Sequence, residues 1–134
     1  MSSIDYNGLK VLIVDDQTDV LMILRNMLSE LGVNQIFEAS SGGEADMFLD
    51  TAADMINLII CDWNLPEKSG LDLFQKVRED MPNVPFIMVT GRSDINSVMN
   101  AKNCGVHAYI RKPFSLSELE KKIQRTVQDG VKAA

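Results

Sequence analysis

The chain has 134 residues, a length that suits one domain, and 46% of them are hydrophobic, which is enough for a buried core. The net charge is −6, and an acidic chain argues against nucleic-acid binding, which usually leaves a basic surface. No apolar run approaches the roughly 18 residues of a membrane span, and the first residues lack the charged-then-apolar order of a signal peptide. These features predict a cytoplasmic protein without membrane insertion.

The chain alternates between short apolar runs and longer segments with helical periodicity. A continuous apolar run is typical of a strand that is buried on both faces of a parallel sheet. Strands are predicted at residues 10–14, 35–39, 57–61, 85–89 and 106–110.

A helix signal follows each predicted strand. Apolar residues recur at helical spacing from Val20 to Leu31, and Gly32 is expected to end this first helix. The fourth helix is predicted to end near Gly105 and the fifth at Gly130. The last four helices are predicted to begin at capping residues, namely Ser41 with Glu44, Ser69 with Asp72, Ser93 or Asp94, and Ser115 or Ser117.

Strand and helix alternate about five times, with connections of only a few residues. This pattern predicts an α/β fold, a doubly wound five-stranded parallel sheet with helices on both faces. The 22 residues after Lys112 are enough for the last helix, so no output domain is expected.

Polar residues with functional chemistry follow four of the predicted strands. Asp15 and Asp16 come after the first strand and Asp62 comes after the third. Thr90 comes after the fourth strand, and Lys112 soon after the fifth. In a doubly wound sheet these strand ends share one edge, where open α/β sheets bind their ligands. Each residue alone has an ordinary explanation, such as helix capping or solvent contact, but together they predict a functional site.

The acidic residues of this edge predict a magnesium site. Three carboxylates in close contact repel one another, and at least one would be pushed toward protonation. A divalent cation removes this conflict, and Mg²⁺ prefers oxygen ligands and keeps several waters. The predicted ligands are Asp15, Asp16, Asp62 and a turn carbonyl near Asn64.

A phosphoryl group could fill the remaining positions around the metal. The Lys112 ammonium and the Thr90 hydroxyl, together with the metal, would offset its charge. Asp62 would be the nucleophile, because carboxylates do form acyl phosphates. Catalysis would then consist mostly of positioning and charge stabilisation.

Four motifs carry a resemblance to a known family. They are Val-Leu-Ile-Val-Asp-Asp at 11–16, Asp-Trp-Asn-Leu-Pro at 62–66 with Ser-Gly at 69–70, Val-Thr-Gly at 89–91, and Tyr-Ile-Arg-Lys-Pro-Phe at 109–114. From about Val11 to Val127 the chain resembles the receiver domains of response regulators, in particular the CheY-like single-domain type. The resemblance implies strand order 2-1-3-4-5. We expect the receiver domain over residues 10–129, a flexible segment over the polar residues 1–9, and a C-terminal tail over 130–134, where Gly130 is predicted to end the last helix.

The resemblance implies that Asp62 accepts a phosphoryl group from the phosphohistidine of a histidine kinase or a histidine phosphotransferase. Asp16, Asp62 and the Asn64 carbonyl would bind Mg²⁺ directly, and Asp15 would hold it through water. The protein would assist its own phosphorylation and dephosphorylation without being a conventional enzyme.

The resemblance also implies a conformational switch. Lys112 would contact the phosphoryl group, Thr90 would hydrogen-bond it, and the Lys112–Pro113 peptide bond should be cis. As Thr90 moves toward the phosphate, Tyr109 is expected to turn inward. This movement would alter the face formed by the fourth helix, the fifth strand and the fifth helix, where a downstream protein would bind. Arg92 stands where CheY-type regulators carry an acid, and we hypothesise that it screens the phosphoryl group.

Several alternatives stay open at this point. A chemotaxis regulator and a phosphorelay or stress regulator would share all these residues. A receiver-like binding module that acts without phosphorylation would usually lose one member of the acid, threonine and lysine set. A magnesium-dependent phosphatase commonly carries a second aspartate where this chain has Asn64, and Asp15 and Asp16 would repel the phosphate of a bound flavin. A monomer is expected, and the sequence leaves dimerisation on phosphorylation open.

Overall fold

The computed structural model describes residues 4–91, 105–106 and 108–133. Its strands are β1 (Lys10–Val14), β2 (Gln35–Ala39), β3 (Leu58–Asp62), β4 (Phe86–Thr90) and β5 (Tyr109–Arg111). Its α-helices are α1 (Thr18–Leu31), α2 (Gly42–Ala52), α3 (Gly70–Asp80) and the C-terminal helix (Leu116–Ala133). The strands form one parallel sheet in the order β2-β1-β3-β4-β5, which confirms the predicted α/β fold and strand order.

Among the described residues, the hydrophobic core consists of two clusters, one on each face of the sheet. Successive side chains of a strand point to opposite faces, so each central strand contributes to both clusters. Leu12, Ile59 and Met88 pack with residues of α2 and α3. Ile13 and Ile60 pack with residues of α1 and the C-terminal helix. Every residue of β3 and β4 is buried, as expected for central strands that are covered on both faces.

Serine caps begin α2 and α3 where the sequence predicts. The Ser41 hydroxyl accepts a hydrogen bond from the Glu44 N–H at 3.0 Å. The Glu44 carboxylate accepts from the backbone and side chain of Ser40, so this cap is not a complete capping box. Ser69 and Asp72 do form a complete capping box, which fixes the start of α3 close to the end of β3.

The C-terminal helix differs from the prediction at its end. Ser115 caps its start, because the Ser115 hydroxyl accepts from the Glu118 N–H at 3.1 Å and the Ser115 N–H donates to the Glu118 carboxylate at 3.0 Å. The helix continues to Ala133, so the predicted end at Gly130 is wrong, and the predicted tail over 130–134 is helical as far as Ala133. A glycine inside a helix costs only about 1 kcal/mol relative to alanine, which does not interrupt a long helix.

Three strands differ from their predicted bounds. β3 and β4 begin and end one residue later than predicted, because Asp62 pairs with Val89 and Thr90 pairs with Arg111 in the ladders. β5 covers only the three residues that pair with β4, since it is an edge strand with a neighbour on one side. Both shifts place site residues inside the sheet rather than after it.

The start of the described chain also differs from the prediction. The sequence predicts a loosely held segment over residues 1–9, but among its described residues Tyr6–Gly8 forms a 3-10 turn and Leu9 is buried. Ile4 and Tyr6 pack against the cluster that α1 and the C-terminal helix cover. This segment therefore adds to the core of the domain.

The predicted fourth helix and Arg92 lie outside the described residues. Among the helices that the structure does describe, none has the length and apolar character needed to cross a membrane. The domain bounds of 10–129 stay a prediction.

Candidate functional site

The carboxyl ends of the strands bring the predicted site residues together at one edge of the sheet. Asp15 directly follows β1, and Lys112 directly follows β5. Asp62 and Thr90 are the last residues of β3 and β4. Asp15, Asp62 and Thr90 are only 1%, 6% and 2% exposed, whereas Asp16 is open to solvent. The site is therefore a group of buried polar side chains with one exposed carboxylate at its mouth.

Lys112 joins two of the carboxylates. Its ammonium nitrogen Nζ lies 3.0 Å from Asp15 Oδ2 and 3.5 Å from Asp62 Oδ1. Its backbone N–H donates to the Thr90 carbonyl oxygen at 2.9 Å, which ties the end of β5 to the end of β4. The following Lys112–Pro113 peptide bond is cis, as the resemblance implies.

Asp15 is held on all sides by hydrogen bonds. Its backbone N–H donates to the Ala39 carbonyl at 3.1 Å, and its Oδ1 accepts from the Gln17 N–H at 2.9 Å. Since Oδ2 accepts from Lys112, both carboxylate oxygens already have a protein partner. Hydrogen bonds within this chain therefore hold the Asp15 carboxylate in place.

The donor set fits a hard divalent cation. One carboxylate oxygen from each of Asp15, Asp16 and Asp62 lies within 4.8 Å of the other two. Oxygen ligands at this spacing, with one exposed member, suit Mg²⁺, which retains several of its waters in proteins. The predicted grouping of these three residues is therefore present in the fold.

The pKa of Asp62 also fits a site that binds a cation. Burial, and to a lesser extent the negative charge of Asp15, raise the pKa of Asp62 from its ordinary 3.8 to about 6. The Lys112 ammonium and a backbone hydrogen bond from Asn64 oppose this rise without cancelling it. One lysine thus does not neutralise the cluster, and a bound cation would stabilise the ionised form of Asp62.

Lys112 stays charged in this setting. Burial alone lowers the pKa of Lys112, but the hydrogen bond to Asp15 and the charges of Asp62 and Asp15 outweigh this effect. The pKa of Lys112 therefore lies above its usual value, and the side chain is a permanent cation at neutral pH.

The loop after β3 (residues 63–69) carries the remaining predicted ligand. The Trp63 N–H donates to the Val89 carbonyl at 2.8 Å, which extends the ladder one step beyond the end of β3. The Trp63 side chain is half-buried, and Asn64 is exposed. Because Trp63 adjoins Asp62 and is the only tryptophan, it can report on this site by fluorescence.

Tyr109 is the first residue of β5, the strand that pairs with the end of β4 at Thr90. It pairs with Met88 in the ladder, and its half-buried ring packs against the cluster covered by α2 and α3. The Tyr109 hydroxyl donates to the Val106 carbonyl at 2.5 Å, and burial raises the pKa of this phenol. The expected movement of Tyr109 with Thr90 stays a prediction.

The sequence matches one protein family over most of its length. A profile described as the response regulator receiver domain matches residues 11–124. The chain belongs to this family. As a receiver domain it is a signalling protein of two-component signal transduction rather than a conventional enzyme.

Relatives of similar length support this assignment. The chemotaxis protein CheY1 of Helicobacter pylori is 42% identical over 118 residues, which cover 87% of this chain and 94% of the relative. A chemotaxis protein CheY homolog of Campylobacter jejuni is 37% identical over 124 residues, which cover 91% of this chain and 95% of the relative.

Solved structures show the same architecture. A CheY-like receiver domain protein from Methanospirillum hungatei superposes with a TM-score of 0.83 at 30% identity, covering 95% of this chain and 100% of the other. A receiver domain protein from Clostridium thermocellum gives a TM-score of 0.85 at 25% identity, covering 94% of this chain and 99% of the other. The receiver fold is thus retained where most residues differ.

Glycine packing around the site is one feature that sequence reasoning missed. A Cβ at Gly70 would lie 2.3 Å from the Asp62 carbonyl oxygen, so the first residue of α3 sits directly on the end of β3. The Gly70 N–H donates to the Trp63 carbonyl at 3.0 Å. The glycine at the predicted start of this helix could have indicated the contact, because glycine often occurs where two backbones approach closely.

Proposed function

We propose that this receiver domain accepts a phosphoryl group on Asp62 from the phosphohistidine of a histidine kinase or histidine phosphotransferase. An Asp62 oxygen attacks phosphorus, the new O–P bond forms, and the N–P bond to the imidazole breaks. The imidazole leaves with the electron pair of the broken bond: when its other ring nitrogen is protonated it leaves as neutral imidazole, and otherwise it takes up a proton from water. The acyl phosphate stays on this chain until water or a further histidine accepts the phosphoryl group.

The position of Lys112 is the observation that carries this proposal. Its Nζ contacts Asp15 and Asp62 at 3.0 and 3.5 Å, so a phosphoryl oxygen on Asp62 would lie next to an ammonium group that is already in place. A charge that needs no rearrangement at the moment of transfer stabilises the transition state. Thr90, buried at the end of β4, would supply a hydroxyl to a second phosphoryl oxygen.

The acidic cluster supports a role for magnesium. Asp16, Asp62 and the Asn64 carbonyl would hold Mg²⁺ directly, and Asp15 would contact it through water. Both Asp15 oxygens already accept hydrogen bonds from this chain, which favours the indirect contact. When bound, Mg²⁺ offsets the charge of the carboxylates and of the incoming phosphoryl group.

Phosphorylation would change the surface through Thr90 and Tyr109. The modification adds about −1.5 to −2 charges and new acceptor oxygens at neutral pH, which draws the Thr90 hydroxyl toward the site. Tyr109 would fill the vacated space and give up its hydrogen bond to Val106. The face formed by the fourth helix, β5 and the C-terminal helix would then bind a downstream protein. Couplings of this kind are typically about 1–3 kcal/mol, enough to shift an existing equilibrium.

Trp63 fluorescence tests the metal site and the phosphoacceptor together. We expect a saturable response to Mg²⁺ in the wild-type protein, followed by a second response to a small phosphodonor such as acetyl phosphate. Asp62→Asn should lose the response to the donor, and intact-mass spectrometry should find one phosphoryl group only on the wild type. A protein that binds Mg²⁺ but never gains a phosphoryl group would instead be a binding module that acts without phosphorylation.

A further inference from the structure

The loop after β3 is seated on the first turn of α2. The Pro66 carbonyl accepts hydrogen bonds from the Gly42 N–H at 3.3 Å and from the Lys68 N–H at 2.8 Å. The Lys68 ammonium donates to Asp46 Oδ2, one turn further along α2, at 2.9 Å. This loop carries Asn64, so the element that supplies a proposed metal ligand rests on a helix outside the site.

Gly42 allows this close approach. The residue is buried, and a Cβ built on it would lie 2.1 Å from the Lys68 carbonyl oxygen and 2.5 Å from the Lys68 Cβ. Real Cβ atoms do not approach other atoms so closely, and backbone atoms cannot swing aside as the end of a side chain can. Any larger residue at position 42 must therefore push the backbone of residues 66–68 away from α2.

Gly43 provides the contrast. A Cβ at this position would lie 2.4 Å from Glu67 Oε1, which is the far end of a flexible and exposed side chain. The Glu67 carboxylate can move into solvent without displacing the loop backbone. Its present place at the start of α2 is favoured by the helix dipole and accompanies the left-handed backbone of Glu67, with φ of +71°.

The ion pair between Lys68 and Asp46 adds orientation rather than much stability. Asp46 is shared with Lys76 of α3, and the hydrogen bonds from Lys76 and Lys68 hold the pKa of Asp46 below its usual value. The side chains of Lys68 and Asp46 are 42% and 21% exposed, and exposed pairs contribute about 0–1 kcal/mol. Their effect is to tie the loop to α2 and, through Lys76, to α3.

We propose that Gly42 and the Asp46–Lys68 pair are positioning residues that set where the loop holds Asn64 relative to Asp62. The loop is short, and its two ends are fixed by the Trp63 hydrogen bond to β4 and by the start of α3. A displacement of residues 66–68 therefore also moves Asn64, because the rest of this short loop cannot compensate for it. This inference rests on the proposed magnesium site, and it adds α2 to the elements that determine metal affinity.

Gly42→Ala and Gly43→Ala form a matched pair that tests the proposal. Both changes introduce alanine in the first turn of α2, where alanine has the higher helix propensity, but only Gly42→Ala clashes with loop backbone. Groups that orient metal ligands typically change metal affinity about 10–100-fold when they are removed. We expect Gly42→Ala to weaken Mg²⁺ binding about tenfold in a Trp63 titration, and Gly43→Ala to bind like the wild type.

A second pair of variants tests the proposal even if Gly42→Ala fails to fold. Asp46→Asn weakens the tie to Lys68, whereas Asp50→Asn removes only an exposed partner of Lys76. We expect weaker Mg²⁺ binding for Asp46→Asn and unchanged binding for Asp50→Asn. Equal Mg²⁺ affinity across the wild type, Asp46→Asn and a folded Gly42→Ala would overturn the proposal.

A measurement without metal separates this proposal from the magnesium site itself. Acrylamide quenching of Trp63 in metal-free protein should increase in Gly42→Ala and stay at the wild-type value in Gly43→Ala. If the wild type fails to bind Mg²⁺ while this difference is present, the proposed function is wrong and α2 still positions the loop. If quenching is the same in both variants, the positioning role is wrong.

Discussion

The surroundings of Asp62 disfavour its ionised form. It is 6% exposed, it lies beside Asp15, and its pKa is raised to about 6. Such perturbed carboxyl groups cluster at functional sites, because burial and like-charge pairs are arranged there to shift pKa values.

We predict that Asp62→Asn stabilises the metal-free protein at pH 7. The folded pKa of about 6 lies above the ordinary 3.8, so the folded state binds more protons than the unfolded state between these values. The free energy of unfolding therefore falls as pH rises through this window, and the full penalty is present at pH 7. One pKa unit corresponds to about 1.4 kcal/mol, and because Lys112 loses a partner we expect a net gain of about 1 kcal/mol.

Urea unfolding at pH 7 and at pH 4 measures this effect. The advantage of Asp62→Asn should be present at pH 7 and nearly absent at pH 4, where the wild-type carboxyl is protonated in the folded protein. Asp16→Asn is a suitable control: because Asp16 is exposed, this substitution should change the free energy of unfolding by less than Asp62→Asn does. A variant that is less stable than the wild type at pH 7 would contradict the argument.

Among the elements, the C-terminal helix depends on a reciprocal cap at its first turn. Ser115 and Glu118 satisfy one another's backbone N–H groups at 3.1 and 3.0 Å. The sequence offered both Ser115 and Ser117 as the cap, and only the structure distinguishes them. Leu119 and Ile123 of this helix are fully buried, so its position matters for the whole face of the sheet.

We predict that Ser115→Ala lowers the free energy of unfolding by about 1 kcal/mol, because it leaves helix N–H groups without their acceptor. Ser117→Ala should change it by less than about 0.5 kcal/mol, since Ser117 is exposed and lies inside the helix. Thermal or urea unfolding of the two variants measures the difference. Equal effects at both positions would mean that the cap does not stabilise this helix.

Element boundaries show what the sequence could and could not predict. β1 and β2 match their predicted residues because apolar patterning coincides there with strand pairing. β5 is shorter than predicted, since only the three residues aligned with β4 form a ladder, and pairing depends on a distant strand. The C-terminal helix passes Gly130 because a local stop signal is weak once a helix is anchored by burial.

At the scale of the whole molecule, the sheet topology made the grouping of the site residues predictable, whereas features that depend on packing could not be predicted from the sequence. Parallel strands bring Asp15, Asp62 and Lys112 to one edge, so alternation of strands and helices was sufficient to group them. The raised pKa of Asp62 and the contact between Gly42 and Lys68 depend on burial and on loop geometry. No periodic pattern in the sequence encodes either one.

The sheet separates the two core clusters, so we expect substitutions on its opposite faces to affect stability independently. Ile59 and Ile60 are adjacent and fully buried, but they point to opposite faces. Ile59→Val and Ile60→Val should each lower the free energy of unfolding by about 1 kcal/mol, through lost burial and a small cavity. Because the two side chains belong to separate clusters on opposite faces of the sheet, the double variant should equal the sum within about 0.5 kcal/mol.

A second pair in the same protein provides the comparison. Ile13 aligns with Ile60 across β1 and β3, and both belong to the cluster under α1 and the C-terminal helix. The two cavities of Ile13→Val and Ile60→Val would merge, so urea unfolding should show a coupling energy larger than about 0.5 kcal/mol. A coupling between Ile59 and Ile60 as large as that between Ile13 and Ile60 would mean that repacking on one face passes through the sheet. The geometry of the site, which lies where β1 and β3 end, would then depend on the packing of the helices on both faces of the sheet.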